Sequence, residues 1–426
     1  MGRALLFLSA GFVIILGIIQ VGIQSRQQVI PERSTNYHNE TNVQNIAGSL
    51  MDYAIRELDR NQNWDKGYSS SNFMGGSGNV KVYNYQDFLA GPDSLPDQSY
   101  LTGWNEYTLL VVSEAEHNGL KATTEAGLQR DGLSKYTYFT NFEPSNIYFF
   151  DGDTLEGPVH TNGRFNIAGD PVFRGKVTSP NMWQGHSSYT NDPEFLGGSD
   201  FGSQTINLPT NLSELQTAAN NGGLSFNNDI YTIFRDNGTV DIYERQGWNW
   251  SSPTNYDLSL YNGVISSNRK VYTKGTVKGK VTLHSAEEVE IMGDLEYATN
   301  PLQDDTSTDV LGIISEGDVV IDDDAHRDSG SSDININATI MALGESFSVE
   351  DYSRGSPRGT INLIGGIQQD ERGAVGTFSG GSIRSGFSKN YQYDKRLQKS
   401  IVPPYYPRES FYSLRYLIDR RTVAIN

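Results

Sequence analysis

The residue types that carry out chemistry are sparse in this chain and do not gather. Six histidines stand singly at positions 38, 117, 160, 186, 284 and 326, and no two have the spacing that a shared metal ion requires. Asp151, Asp153 and Glu156 precede His160. On a strand face of a polysaccharide-degrading enzyme, such carboxyls divide into an acid and a base or metal ligand. Here they fall at a turn, with no basic residue beside them in the sequence. The run DDDAHRDSGSSD from Asp322 to Asp333 concentrates oxygens that suit calcium. It lacks the ordered spacing and bidentate glutamate of a calcium loop and reads as a solvated loop. The glycine-rich GGSGNV at 75 leads into a strand pattern rather than a helix, GTVKGK at 275 has the wrong spacing for a phosphate loop, and no Gly-x-Ser-x-Gly elbow occurs. Trp183, Trp248 and Trp250 lie near Tyr189 among many Asn and Ser residues, a composition suited to stacking on sugar rings. The expectation is therefore of a protein that is not an enzyme, with no catalytic residue, cofactor or metal ligand and with polysaccharide as a candidate ligand.

The composition narrows the classes further. The formal charge of -18, from 51 acidic and 33 basic residues, repels phosphate backbones and excludes nucleic acid as a partner. Cysteine is absent, which removes disulfides, thiolate metal sites and cysteine nucleophiles together. A chain of 426 residues with 44 glycines and 24 tyrosines exceeds one compact domain and leans toward turn-rich β-structure.

The elements that position these residues begin with an almost unbroken apolar run from Ala4 to Ile23. As a helix it matches the hydrocarbon thickness of a bilayer. It predicts a membrane anchor carried by Leu5, Phe7, Phe12, Ile15 and Ile18 within a leader and transmembrane segment over 1–35. Arg3 ahead of it places the N-terminus on the cytoplasmic side. Val43, Ile46, Leu50 and Leu58 then recur at helical spacing and predict an amphipathic helix that packs on its own sheet or in an assembly. Alternation in NVKVYNYQ and two runs around His117-Asn118-Gly119 predict an antiparallel sheet with a tight hairpin turn. Together these define a helix-plus-sheet domain over 36–140.

From 141 to 395 short runs broken by glycine dominate: LGIISEGDVVI, ININATIMAL, GTINLIGGIQQ and GAVGTFSGG. When the chain is slid so that Gly157 meets Gly275, Val159 meets Val277 and Phe165 meets Leu283, while His160 meets Lys278. Apolar thus falls on apolar, and the histidine stands outside the repeat on an outer wall. Successive coils that cover one another's apolar face predict a parallel β-solenoid, with a twisted β-sandwich as the alternative. An inserted lobe over 181–262 holds a helix capped by Asn211 and Glu214 and a hairpin turning at Asn237-Gly238. The tail 396–426 is expected to cap the last coil through Phe411, Leu414, Tyr416 and Leu417. The predicted fold class is mainly β.

The order of basic leader, apolar helix, amphipathic helix and antiparallel sheet resembles the type IV pilin-like class, in particular its minor-pilin type. Gly2 stands where that class is cut before its mature N-terminus, Arg3 follows it, and Phe7 occupies the place of the class's acidic residue. The second half resembles an uncharacterised domain that accompanies such N-termini in bacterial envelope proteins, through EGPVHTNGRF, GKVTLHSAEEVEIMGDL, ISEGDVVI, RGAVGTFSGG and PPYYP. The turns of GTVKGKVTL are also similar to those of bactofilin-type solenoids. These resemblances imply an envelope protein with structural or assembly function, anchored in the inner membrane with its bulk periplasmic or extracellular, and with protein partners in a pilus or related secretion machine.

Overall fold

The computed structural model describes residues 2–90, 107–328, 330–379, 382–398 and 401–424. The protein is mainly β and divides into two compact units, residues 1–130 with 411–426 and residues 131–410. A small antiparallel sheet belongs to the first and a large mixed sheet to the second.

The first unit is built on one helix, α1, running from Gly2 to Arg60 without interruption. Val43, Ile46, Leu50 and Leu58 are buried against Val80, Val111 and Ala126 of the same chain. The stripe forms because spacings of three and four put these side chains on one face. Gly76 and Gly78 let the helix lie close, since a Cβ at either position would run into Ile46 or Leu50. The sheet beneath is Tyr68–Phe73, Gly76–Tyr83, Thr108–His117, Leu120–Gln129 and Ser413–Ala424 in that spatial order. Asn118 and Gly119, at φ 49° and 78°, make the tight turn their types predict.

One expectation changes here. Ser413–Ala424 does not cap the second unit; it pairs antiparallel with Leu120–Gln129, Leu414 opposite Leu128 and Leu417 opposite Ala126. An alternating segment completes the open edge of a strand as readily as it covers an apolar end, and the Tyr416 ring fits over Gly127, which offers it no Cβ. The anchor expected over 1–35 is a separate matter: among the described residues no helix is long and apolar enough to cross a membrane. Leu5, Phe7 and Phe12 lie outside the residues whose side chains are described, whereas Ile15 and Ile18 are 57% and 67% exposed.

The second unit is dominated by parallel pairs in register. One row of facing residues runs Leu224, Ile265, Leu283, Ile313, Ile340, Ile367, Tyr138, Val159 and Val177, and every member is buried. The order is not that of the chain. Tyr138–Phe142 pairs with Pro357–Glu371, so residues 138–201 continue the stack that residues 224–371 build. The chain crosses 202–223 to begin that stack at its far end. Leu224–Phe226 and Ile230–Phe234, expected in an inserted lobe, are rungs of it. The helix there spans Ser213–Asn220, and the expected cap is absent: Asn211 Oδ1 accepts from Ser213 instead.

The registers also correct the internal alignment. His160 shares its row with His284, through Ser266, His284, Ile314, Met341, Gln368, Phe139 and His160. By the same registers Val159 shares its row with Leu283. In a third row three successive strands end on a buried serine. Ser267, Ser285 and Ser315 donate to Asn228 O, Arg269 O and Glu287 O at 2.6, 2.8 and 3.0 Å. Ser285 Oγ in turn accepts from the Glu287 amide at 3.1 Å. Ser267 and Ser285 thus close their own turns, and all three hydroxyls tie a strand end to a neighbouring turn.

Ser285→Ala strands these buried partners and is expected to destabilise the second unit by about 1–3 kcal/mol. Removing the exposed Arg269–Glu287 pair on the same turn with Arg269→Ala is expected to change stability by less than about 1 kcal/mol. Denaturant titration of both variants measures the contrast.

Candidate functional site

A polar interior of the second unit lies where residues 138–155 meet residues 347–391. Ile367 pairs with Tyr138, but among the described residues no strand pair bridges Thr154–Leu155 and Ser382–Gln392. The gap leaves a cavity of about 90 Å³ lined by Tyr138, Phe149, Asp153, Arg372, Lys389 and Tyr391, among others. Arg372 is buried with its guanidinium 4.1 Å from the Phe149 ring centre and 3.5 Å from Glu143 Oε2. Glu143 is buried too, and its Oε1 accepts from Tyr138 Oη at 2.8 Å and Thr140 Oγ1 at 2.6 Å. Burial pushes the Tyr138 phenol well above its ordinary value, so it remains a donor. Burial of its ammonium at the cavity wall, followed by the Arg372 charge, pulls Lys389 down to about 8. The residue as a whole keeps contact with water and is charged at neutral pH. A stacked guanidinium answered by one carboxylate is a structural link with both charges compensated.

His160 sits on the wall opposite to Val159, as strand alternation requires, yet it is fully buried rather than on an exposed outer wall. It stacks on Phe139 at 5.3 Å and lies 6.0 Å from the Tyr136 ring. The outer face of this row is covered further along by 403–406: Thr282 Oγ1 donates to Pro404 O at 2.5 Å and Tyr406 Oη to Gln368 Oε1 at 2.6 Å. Asn162 donates through Nδ2 to Asn141 and to Ile206 O, so its Oδ1 faces His160 Nε2 at 2.9 Å and that nitrogen carries the proton. Nδ1 accepts from Thr178 Oγ1 at 2.7 Å. Burial first, then the Lys135 charge, outweigh the Asn162 hydrogen bond and lower the imidazole to about 4. Its partner in the row, His284, is lowered as well by burial, and contacts Ser266 Oγ at 2.8 Å and Glu316 Oε1 at 3.2 Å. With both ring nitrogens engaged, each imidazole spans adjacent turns.

The acidic groups that precede His160 do not bond to it. Asp151 Oδ1 accepts from the Asp170 amide at 2.6 Å, and Asp153 Oδ2 from the Phe150 amide at 2.8 Å. The run from Asp322 disperses also: Asp324 pairs with Arg327, and Asp333 accepts from the Thr360 amide. Only Asp322 joins other acids, Glu290 and Glu350, with oxygens within 4.8 Å of one another. Lys270 lies 2.5 Å from Glu290 and 2.6 Å from Glu288, which already compensates part of that charge.

The three tryptophans are not brought together. Trp183 packs partly buried beside the Phe165 and Phe173 cluster, and Trp248 is 92% exposed at a hairpin tip. Trp250 lies 5.5 Å from Tyr272, 6.1 Å from Tyr231 and 5.2 Å from the Arg245 guanidinium. Tyr231 contacts Tyr243 and Tyr272 as well, and each of the three holds an outward place in the alternation of DIYTIF, DIYER and KVYTK. Arg372 and Glu143 left no local signal, because only the crossover that joins distant strands buries them.

The DUF4900 family, a domain of unknown function, matches residues 112–181, which begin in the hairpin of the first unit and end in the first strands of the second. No curated protein matches the chain. Among solved structures, the competence-associated pilin ComZ from Thermus thermophilus aligns over 90% of this chain and 98% of its own, at 10% identity and a TM-score of 0.34. At that score the pair does not establish a common fold.

Two expectations can be measured at this interior. Arg372→Met leaves the Glu143 carboxylate buried and unanswered and is expected to cost about 3–5 kcal/mol, much of it restored when Glu143→Gln is added. A double-mutant cycle by chemical denaturation reads the coupling. For His160, the unfolded chain binds the proton near its ordinary 6.5 and the folded chain near 4. The unfolded state therefore protonates first as pH falls. Its contribution is full above the unfolded value and fades toward pH 4, by roughly 3 kcal/mol in all. The pH 7 to 4 slope of stability should be shallower in His160→Gln, and an unchanged slope would contradict a neutral buried imidazole.

Proposed function

We propose that this protein is a non-enzymatic, membrane-tethered component of the bacterial cell envelope, of minor-pilin type, that serves a pilus or related secretion machine and carries a parallel β-solenoid as its second unit. The observation behind the reading is the division of α1. One face of its later part, from Val43 to Leu58, is buried in the first unit, while Ile15, Ile18 and Val21 are more than half exposed on the earlier part of the same helix. Apolar side chains left in water on a helix that continues an apolar run call for lipid or a neighbouring helix. The buried rows of parallel partners support the solenoid. A structural role is favoured because His160, Glu143 and Arg372 are engaged within the protein. In this reading the inner membrane holds the helix, the bulk is periplasmic or extracellular, and protein partners pack along the helix.

Fractionation of cells that express the full chain tests this directly. Wild type should remain with membranes after alkaline carbonate extraction, and Ile15→Lys with Ile18→Lys should release it. Wild-type protein that is soluble would overturn the proposal. Because the chain has no cysteine, a single Ile18→Cys gives an unambiguous position for cross-linking to envelope partners.

A second reading, a carbohydrate-binding adhesin, is favoured by the half-exposed aromatic face of Tyr231, Trp250 and Tyr272. Aromatic rings of this kind stack on sugars. Glycan-array binding that disappears in Trp250→Ala would support it, and an array without binding would remove it.

A further inference from the structure

The two ends of the parallel stack in the second unit differ. At one end Thr239–Gln246 folds antiparallel onto Ile230–Phe234, Val240 and Ile242 enter the core, and the helix Ser213–Asn220 packs beside Leu224–Phe226. That end is covered. At the other, the final strands Gln184–Gly185, Glu194–Phe195 and Ser199–Phe201 each have a single partner among the described residues: Asn166–Ala168, Val172–Phe173 and Val177–Ser179. All three are open edges. Trp183, Phe195 and Phe201 close the core there only in part, and Met182 and Leu196 are each 63% exposed.

The open strand has a defined polarity. Gly198 O accepts from Val177 N, and Gly202 N donates to Ser179 O. Alternation then turns the amides and carbonyls of Ser199 and Phe201 away from Val177–Ser179. The edge is also acidic. Asp192, Glu194 and Asp200 are exposed on it, and no lysine or arginine occurs between Lys176 and Arg235. Arg164, Arg174 and Lys176 belong to the turns behind it, where Arg164 is held by Gln184. A second copy that presented the same edge would set carboxylates against carboxylates.

We infer that Gln184–Phe201 is a docking edge for an extended segment of a partner protein, rich in lysine or arginine with alternating apolar residues, which adds a strand alongside Ser199–Phe201. Backbone bonds at Ser199 and Phe201 give affinity, the acids select a basic segment, and Leu196 with Phe201 receives its apolar side chains. The inference does not depend on membrane anchoring.

The full chain is titrated with a blocked peptide alternating lysine and valine, and with its glutamate counterpart, while binding is followed by calorimetry and by the backbone amide signals of Ser199 and Phe201. The lysine peptide should bind saturably, move those two amides, and weaken as salt rises. Ser199→Pro, which deletes an outward amide, should weaken it about tenfold or more. Glu194→Lys with Asp200→Lys, which leaves the backbone edge intact, should reverse the preference to the glutamate peptide. Absence of saturable binding, equal binding of both peptides, or binding that neither variant alters would overturn the docking edge. Self-association of the peptide-free chain that Ser199→Pro abolishes would assign the edge to a second copy and overturn a basic partner.

Discussion

Parallel strand pairing in register is the constraint on which the second unit rests. Once Val159 faces Val177 and Leu283 faces Ile313 across hydrogen-bonded strands, every side chain along a row meets the same type of surroundings as its neighbours. The row from Leu224 to Val177 is hydrophobic throughout, whereas the row of His284 and His160 also holds Ser266, Met341 and Gln368. Buried hydroxyls at Ser267, Ser285 and Ser315 are tolerated because each finds a carbonyl on a nearby turn. The two buried histidines follow the same rule: an imidazole that bonds through both nitrogens fits a row whose neighbours are Ser266 and Thr178.

The same constraint explains where the stack becomes polar. Parallel rows continue without interruption from Ile340 through Ile367 to Tyr138, although the chain is far from contiguous there. On the remaining faces the rungs do not meet as paired strands, and the space is filled by a guanidinium, a carboxylate and phenol groups around a small cavity. Charged residues are tolerated at this seam because they answer one another. The free edge at Gln184–Phe201 is the other consequence, since a stack assembled in this order covers one end with its own hairpin and leaves the last rung at the other.

In the first unit a single helix serves two environments. Small and aliphatic residues at Val43, Ala47, Leu50 and Ala54 bring the helix close to glycine-bearing strands, and an earlier stretch of the same helix holds exposed isoleucines. The helix runs on through Pro31, an interior proline that removes one backbone hydrogen bond, and no glycine follows Gly17 until Gly48. Ser413–Ala424 completes this unit by pairing with Leu120–Gln129, which adds a distant segment to the sheet of residues 68–129.

The sequence by itself determined the local elements: the helical stripe from Val43 to Leu58, the hairpins at Asn118-Gly119 and Asn237-Gly238, and the short glycine-bounded runs after 141. Their signals are local because periodicity and turn chemistry act over a few residues. Long-range order was decided only in the tertiary structure. Alignment through Gly157 and Gly275 matches apolar to apolar yet sets His160 against Lys278 rather than in the row of His284, because several offsets satisfy an apolar pattern and only hydrogen-bonded register selects one of them. The tail's place beside Leu120–Gln129, the covering of His160 and the meeting of Arg372 with Glu143 likewise depend on strands distant in the chain becoming neighbours. No local composition encodes that; the free energy of the whole sheet does.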